Sequence, residues 1–226
     1  MLESLSSTAS AERSQVAVSR RSLLGKAVVT GLATVPVVGL LTSSSEAAPQ
    51  QTLDASAREA FMDIRTHEND HVAFLKGALG SAARPKPTFK NLSTTSFNQF
   101  VTLSQAFENV GVGAYLAAAP AIKSKDILAA AASIALIEAR HAGFLNVFKG
   151  SDNTLQAKTG KASAFEKPLT IQEVVSAVSP YLVSLNGGPA ATFTAGNDVS
   201  ILNFALLLEY FEAEYYNINV PKYVGA

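Results

Sequence analysis

Two short stretches of the 226-residue chain, Glu68-Asn69-Asp70-His71 and Glu138-Ala139-Arg140-His141, place a glutamate three residues before a histidine. Residues three apart on a helix share a face, so each pair can reach one metal ion. Together they use two of the three histidines, His67, His71 and His141. Two more glutamates, Glu108 and Glu209, stand in oily segments where a core residue is expected. Each is followed seven residues later by a tyrosine, Tyr115 and Tyr216. Seven residues are about two helical turns, which returns the tyrosine to the face of its glutamate. In chain order the pattern is Glu-x2-His, Glu-x6-Tyr, Glu-x2-His, Glu-x6-Tyr. It is a twofold repeat written in functional residues.

Four carboxylates and two imidazoles make little sense as a bare core. Bringing like charges together and stripping them of water costs several kcal/mol per ion. Two divalent cations remove the conflict, because four carboxylates balance four positive charges. The two neutral imidazoles then supply nitrogen ligands suited to iron or manganese. The expected site is therefore a pair of Fe ions, or of Mn ions, held by Glu68, His71, Glu108, Glu138, His141 and Glu209. Tyr115 and Tyr216 are expected to support it, with hydroxyls bonded to buried carboxylates. Glu212, one turn from Glu209, has an expected supporting role. His67, Asp70 and Glu214 fall off the inferred centre line, with surface or supporting roles, and Arg140 is expected to pair with an acid near the site. Replacing Glu209 by Leu restores an oily stripe, so the metal-free variant is expected to be at least as stable as its parent.

Four long helical patterns carry these residues. The first covers about 54–79, with Asp54 or Ser56 as cap, Gly80 as stop and the stripe Phe61, Ile64, Glu68, His71, Leu75, Leu79. The second covers about 97–119 and ends at Pro120, with the stripe Phe97, Val101, Ser104, Glu108, Gly111, Tyr115. The third covers about 124–149, with the stripe Ile127, Ala131, Ile134, Glu138, His141, Leu145, Phe148. The fourth follows a cap at Asn197 or Asp198 and includes "SILNFALLLEYFEAEYYN", with the stripe Val199, Leu202, Leu206, Glu209, Ala213, Tyr216, Val220. A long connection, 151–198, precedes it and contains a short helix opened by a Thr170–Glu173 capping box. No strand pattern stands out. An all-α four-helix bundle over 54–217 is the expected fold.

Composition narrows the function classes. Lys plus Arg and Asp plus Glu are 18 each, so the net charge is zero. No basic face suggests nucleic acid. The absence of cysteine excludes disulfides, thiolate metal sites, thiol catalysis and a built-in rubredoxin-type relay. Residues 1–47 look like a twin-arginine signal peptide: Arg20-Arg21 precede the apolar run, and small residues near Ala47 or Ala48 suit cleavage. From Ala27 to Leu41 the uncharged run is 15 residues, broken by Gly31, Pro36 and Gly39. A spanning helix needs about 20, so export to the periplasm or exterior, with no stable membrane span after cleavage, is the expectation.

With these motifs in place, "LNFALLLEYFEAEYY", "HENDHVAFLKGALG", "FENVGVGAYLAAAP" and "IALIEARHAGFLN" resemble the ferritin-like superfamily. The likeness is greatest to exported bacterial ferritin-like proteins, some named desiccation-related. It covers roughly residues 55–217 and implies that the six glutamates and histidines match the ligand positions of that family. It also implies an oxidase, ferroxidase or manganese catalase-like activity, with dioxygen or peroxide as substrate. The other class it implies is a stress-protective envelope protein that uses the metal for stability alone. Relatives place the Glu209 helix first, whereas here it is last, as in a circular permutation. The 48-residue connection can cover more than about 100 Å when extended, enough to pass a bundle about 36 Å long. The other outcome is a homodimer that exchanges this helix.

Overall fold

A computed structural model of the chain describes residues 53–150 and 164–225. The twin-arginine segment and the start of the long connection lie outside the described residues. Five helices follow one another: α1 Ala55–Leu79, α2 Phe97–Ala118, α3 Lys125–Phe148, the short α4 Ile171–Val178, and α5 Asp198–Tyr223. The four long ones make the bundle. α1 lies along α5, α2 lies along α3, and α2 also packs on α5 to join the two pairs.

Local chemistry explains where the helices begin and end. The side chains of Asp54, Ser96, Ser124 and Asn197 each accept a hydrogen bond from a first-turn backbone N–H, which satisfies donors that a helix start leaves bare. The capping box of Thr170 and Glu173 is present at α4. Gly80 ends α1 at φ 54°, a left-handed conformation that suits glycine.

The anticipated stripe of α1 is buried along its whole length, from Phe61 to Leu79. In α2 and α3 the stripe is buried except at its ends, where Phe97, Ile127 and Phe148 are half-buried. The fourth long helix differs most from expectation. α5 runs six residues past Asn217, with Pro221 in its last turn. It is buried nearly all round, and only Val199 of the anticipated stripe is exposed. A proline that close to a helix end removes one backbone donor, while Val220 and Val224 stay in the core and Arg58 bonds the Val224 carbonyl.

A two-stranded antiparallel ribbon, absent from the sequence pattern, pairs β1 Thr88–Phe89 with β2 Leu182–Ser184. It ties the loop after α1 to the segment after α4. Pairs this short carry no alternation for a pattern to reveal. α4 packs on α2, and the residue before its cap meets α2 at Gly113. There Leu169 donates a backbone hydrogen bond to the Gly113 carbonyl, and its Cγ would lie 2.4 Å from any Cβ at that position. Asp198, at the first turn of α5, accepts from the backbone of Lys123 and Ser124 and so fixes the start of α3 to the start of α5.

Candidate metal centre

All six expected ligands converge in the middle of the bundle. Glu68 and His71 come from α1, Glu108 from α2, Glu138 and His141 from α3, and Glu209 from α5. The four carboxylates are at most 2% exposed. They form two overlapping groups whose ligand atoms lie within 4.8 Å of one another. One is Glu68, His71, Glu138 and Glu209; the other is Glu68, Glu108, Glu138 and His141. Glu68 and Glu138, the glutamates of the two Glu-x-x-His motifs, belong to both.

His71 Nδ1 lies 3.2 Å from Glu209 Oε2, 3.2 Å from Glu138 Oε1 and 3.4 Å from Glu68 Oε2. His141 Nδ1 lies 3.1 Å from Glu108 Oε2 and 3.0 Å from Glu68 Oε1. An imidazole nitrogen carries at most one hydrogen. The geometry aims it at Glu209 from His71 and at Glu108 from His141. Both oxygens of Glu68 and both of Glu138 therefore have no hydrogen-bond partner although they are buried. They lie near the histidines without being satisfied by them.

The tyrosines bond crosswise. Tyr115 of α2 donates to Oε1 of Glu209 on α5, and Tyr216 of α5 donates to Oε1 of Glu108 on α2, each at 2.5 Å. One oxygen of each outer glutamate is thus held by a phenol, and the other faces a histidine. Burial and the adjacent carboxylate push both phenols well above their usual range, so they remain donors.

Electrostatics reports the same conflict. Burial, then the charges of its neighbours, pushes the carboxyls of Glu68, Glu138 and Glu212 well above the usual carboxylate range. Burial pushes Glu108 up to about 7 against the hydroxyl of Tyr216, which lowers it. Burial alone would lower His71, but the carboxylates of Glu138, Glu209 and Glu68 together push it up to about 12.

Glu212 is buried and approaches this layer from α5. It corresponds in the twofold repeat to Gly111, three residues after Glu108. A Cβ at Gly111 would lie 2.9 Å from Glu138 Oε2 and 3.4 Å from Glu212 Oε1. Glycine on α2 therefore leaves the room in which two carboxylates meet. One expectation changes. Arg140 lies on the exposed face of α3 and makes no ion pair among the described residues, because the third residue of Glu-x-x-His points away from the core. His67, expected off the centre line in a surface or supporting role, reaches His141 at 3.1 Å.

The description "ferritin-like domain" matches residues 12–150, more than half of the chain. The protein belongs to the ferritin-like domain family. The match takes in α1, α2 and α3, with five of the six converging side chains and both tandem motifs, and stops before α5. No curated protein and no solved structure matches the chain. In this ferritin-like protein the donor set is hard, anionic and nitrogen-completed, and it contains orphaned buried oxygens. On both counts it fits a pair of divalent metal ions.

Proposed function

We propose that this ferritin-like protein is an exported dinuclear iron or manganese protein that acts on dioxygen or peroxide as an oxidase, ferroxidase or catalase-like enzyme. The observation that carries the reading is the set of four buried, unbonded oxygens on Glu68 and Glu138, shared by both candidate groups. Four such atoms at a bundle centre cost several kcal/mol unless a cation faces them. Glu209 and His71 would hold one ion, Glu108 and His141 the other, with Glu68 and Glu138 between them. Bound iron or manganese would supply the electrons that dioxygen or peroxide takes up.

The chain does the rest. Tyr115 and Tyr216 fix the orientation of Glu209 and Glu108 and leave one oxygen of each toward the centre. The surrounding core excludes bulk water, which strengthens every interaction within the layer. An apolar pocket is lined by Phe74, Ala114, Tyr115, Ala118, Ala131 and Ala205. Its apolar walls beside Tyr115 would suit a small, weakly polar oxidant.

The test is metal analysis followed by turnover. Protein from iron-sufficient cells should carry close to two iron or manganese ions per chain. Reloaded with ferrous ion without oxygen, it should consume dioxygen or peroxide faster than free ferrous ion at the same concentration. Zinc that persists through iron supplementation, or no metal, would sink the dinuclear oxidase reading. Two bound ions without turnover would leave the stabilising role in its place.

Export rests on Arg20-Arg21 and the apolar run behind them. Changing both arginines to Lys should leave uncleaved precursor in the cytoplasm on cell fractionation. Unchanged secretion of that variant would show that the segment is not read as a twin-arginine signal.

A further inference from the structure

Beside the Gly111–Glu212 mismatch, the twofold pattern of the centre is broken at the histidines. His67 Nδ1 lies 3.1 Å from His141 Nε2, with the two rings within 9° of parallel. His141 meets the carboxylates with its other nitrogen, Nδ1. His67 is the residue immediately before Glu68 on α1, and the corresponding residue before Glu138 on α3 is Ile137. A hydrocarbon offers nothing to the remote nitrogen of His71. One imidazole therefore has a hydrogen-bond partner built in from the neighbouring helix, and its counterpart has an isoleucine at the matching place.

We propose that His67 is a positioning residue for His141, holding its Nε2–H so that Nδ1 faces the metal, and that it makes the Glu108–His141 position the tighter of the two. Without metal the ring hydrogen of His141 can sit on Nδ1 toward Glu108, but a metal-ligating Nδ1 must be bare, which puts the hydrogen on Nε2. Nε2–H then donates to His67 Nδ1, and His67 carries its own hydrogen on Nε2. A partner of this kind locks both the tautomer and the ring rotation, and losing one typically costs 10–100-fold in metal affinity. Among the described residues, the polar partners of His71 are the carboxylates it faces. The two ions would therefore load in order, first at Glu108–His141 and then at Glu209–His71. This inference rests on the dinuclear reading above.

The experiment is an anaerobic titration of the full metal-free chain with Mn(II), read by calorimetry and by the electron paramagnetic resonance signal of free Mn(II). The parent should show two binding steps. His67→Leu should weaken the tighter step about 10–100-fold and leave the weaker within threefold, so that the steps merge. His67→Gln, whose amide oxygen can accept from His141 Nε2–H, should recover part of the loss. Circular dichroism melting of each metal-free variant separates misfolding from loss of affinity, and His67→Gln carries the test if His67→Leu folds poorly. Unchanged steps in His67→Leu, equal weakening of both steps, or a glutamine variant no better than leucine would overturn the assignment. A parent that binds fewer than two Mn(II) ions would overturn the dinuclear reading and the assignment together, whereas a normal parent with an insensitive variant sinks the assignment alone.

Discussion

Glu138→Leu should strip both metal ions from the protein and raise the melting temperature of the metal-free form. Glu138 belongs to both candidate groups, so its loss removes a ligand from each ion. Affinity at both positions should fall by more than the roughly 10–100-fold that a supporting bond is worth. Glu108→Ala should instead remove one ion and leave the other, because Glu108 belongs to a single group. The gain in stability has the opposite origin. Both oxygens of Glu138 are buried without a hydrogen bond, and replacing such a group by hydrocarbon of similar volume is often stabilising by about 1–4 kcal/mol. For a domain of this size that corresponds to about 3–12 °C. Metal analysis and calorimetric melting in the presence of a chelator check the two halves separately. A Glu138→Leu protein that kept two ions, or that melted below its metal-free parent, would contradict the arrangement.

The same comparison revises the expectation drawn from the oily stripe of α5. From the sequence, Glu209→Leu is the substitution that relieves a buried charge. In the structure Glu209 accepts from Tyr115 and faces His71, so removing it leaves a phenol and an imidazole unpartnered. The carboxylates left without a bond are Glu68 and Glu138. The relief therefore moves to them.

Raising the pH from 5 to 8 should destabilise the metal-free protein, contrary to the usual maximum between about pH 5 and 8. Burial holds Glu108 up at about 7 against a usual 4.5, and burial with neighbouring charge pushes Glu68, Glu138 and Glu212 well above the usual carboxylate range. A carboxyl raised in the folded state binds its proton more tightly there than in the unfolded chain. Its stabilisation is complete below about 4.5 and is lost as pH rises through the folded value. His71, raised from 6.5 to about 12, has the same sign: its contribution is present below 6.5 and drains above it. His67 is lowered, chiefly by burial, and acts in the opposite sense below 6.5, but it is partly exposed and its effect is screened. Asp198 and Glu173 are lowered by backbone hydrogen bonds and matter only toward acid, below the window in question.

The loss should amount to a few kcal/mol, about 5–10 °C in melting temperature. Metal reverses the trend, because ions displace those protons and bind more tightly as pH rises. Melting curves at pH 5, 6, 7 and 8, with chelator and with Mn(II), should diverge steadily. Parallel curves would mean that the buried carboxyls are not what the metal satisfies.

The six converging side chains and the helices that bear them were legible in the sequence because both depend on local rules. A period of 3.6 residues places Glu68 with His71, Glu138 with His141, and each tyrosine with its glutamate, whatever the neighbouring helix does. Caps and breakers such as Asp54, Asn197 and Gly80 act within one turn. Everything that makes the centre more than four marked helices depended on contacts between residues far apart in the chain. Only packing decided that Glu68 and Glu138 are shared while Glu108 and Glu209 are not. Only packing crossed Tyr115 to Glu209 and Tyr216 to Glu108, over 94 and 108 residues. Gly111 looked like one more position on a stripe until Glu138 and Glu212 were found beneath it. His67, one residue off that stripe, became the neighbour of His141 because α1 and α3 approach there at one particular rotation. Spacing along a helix determines which side chains share a face, but the rotation and height at which two helices meet are settled by the whole core at once.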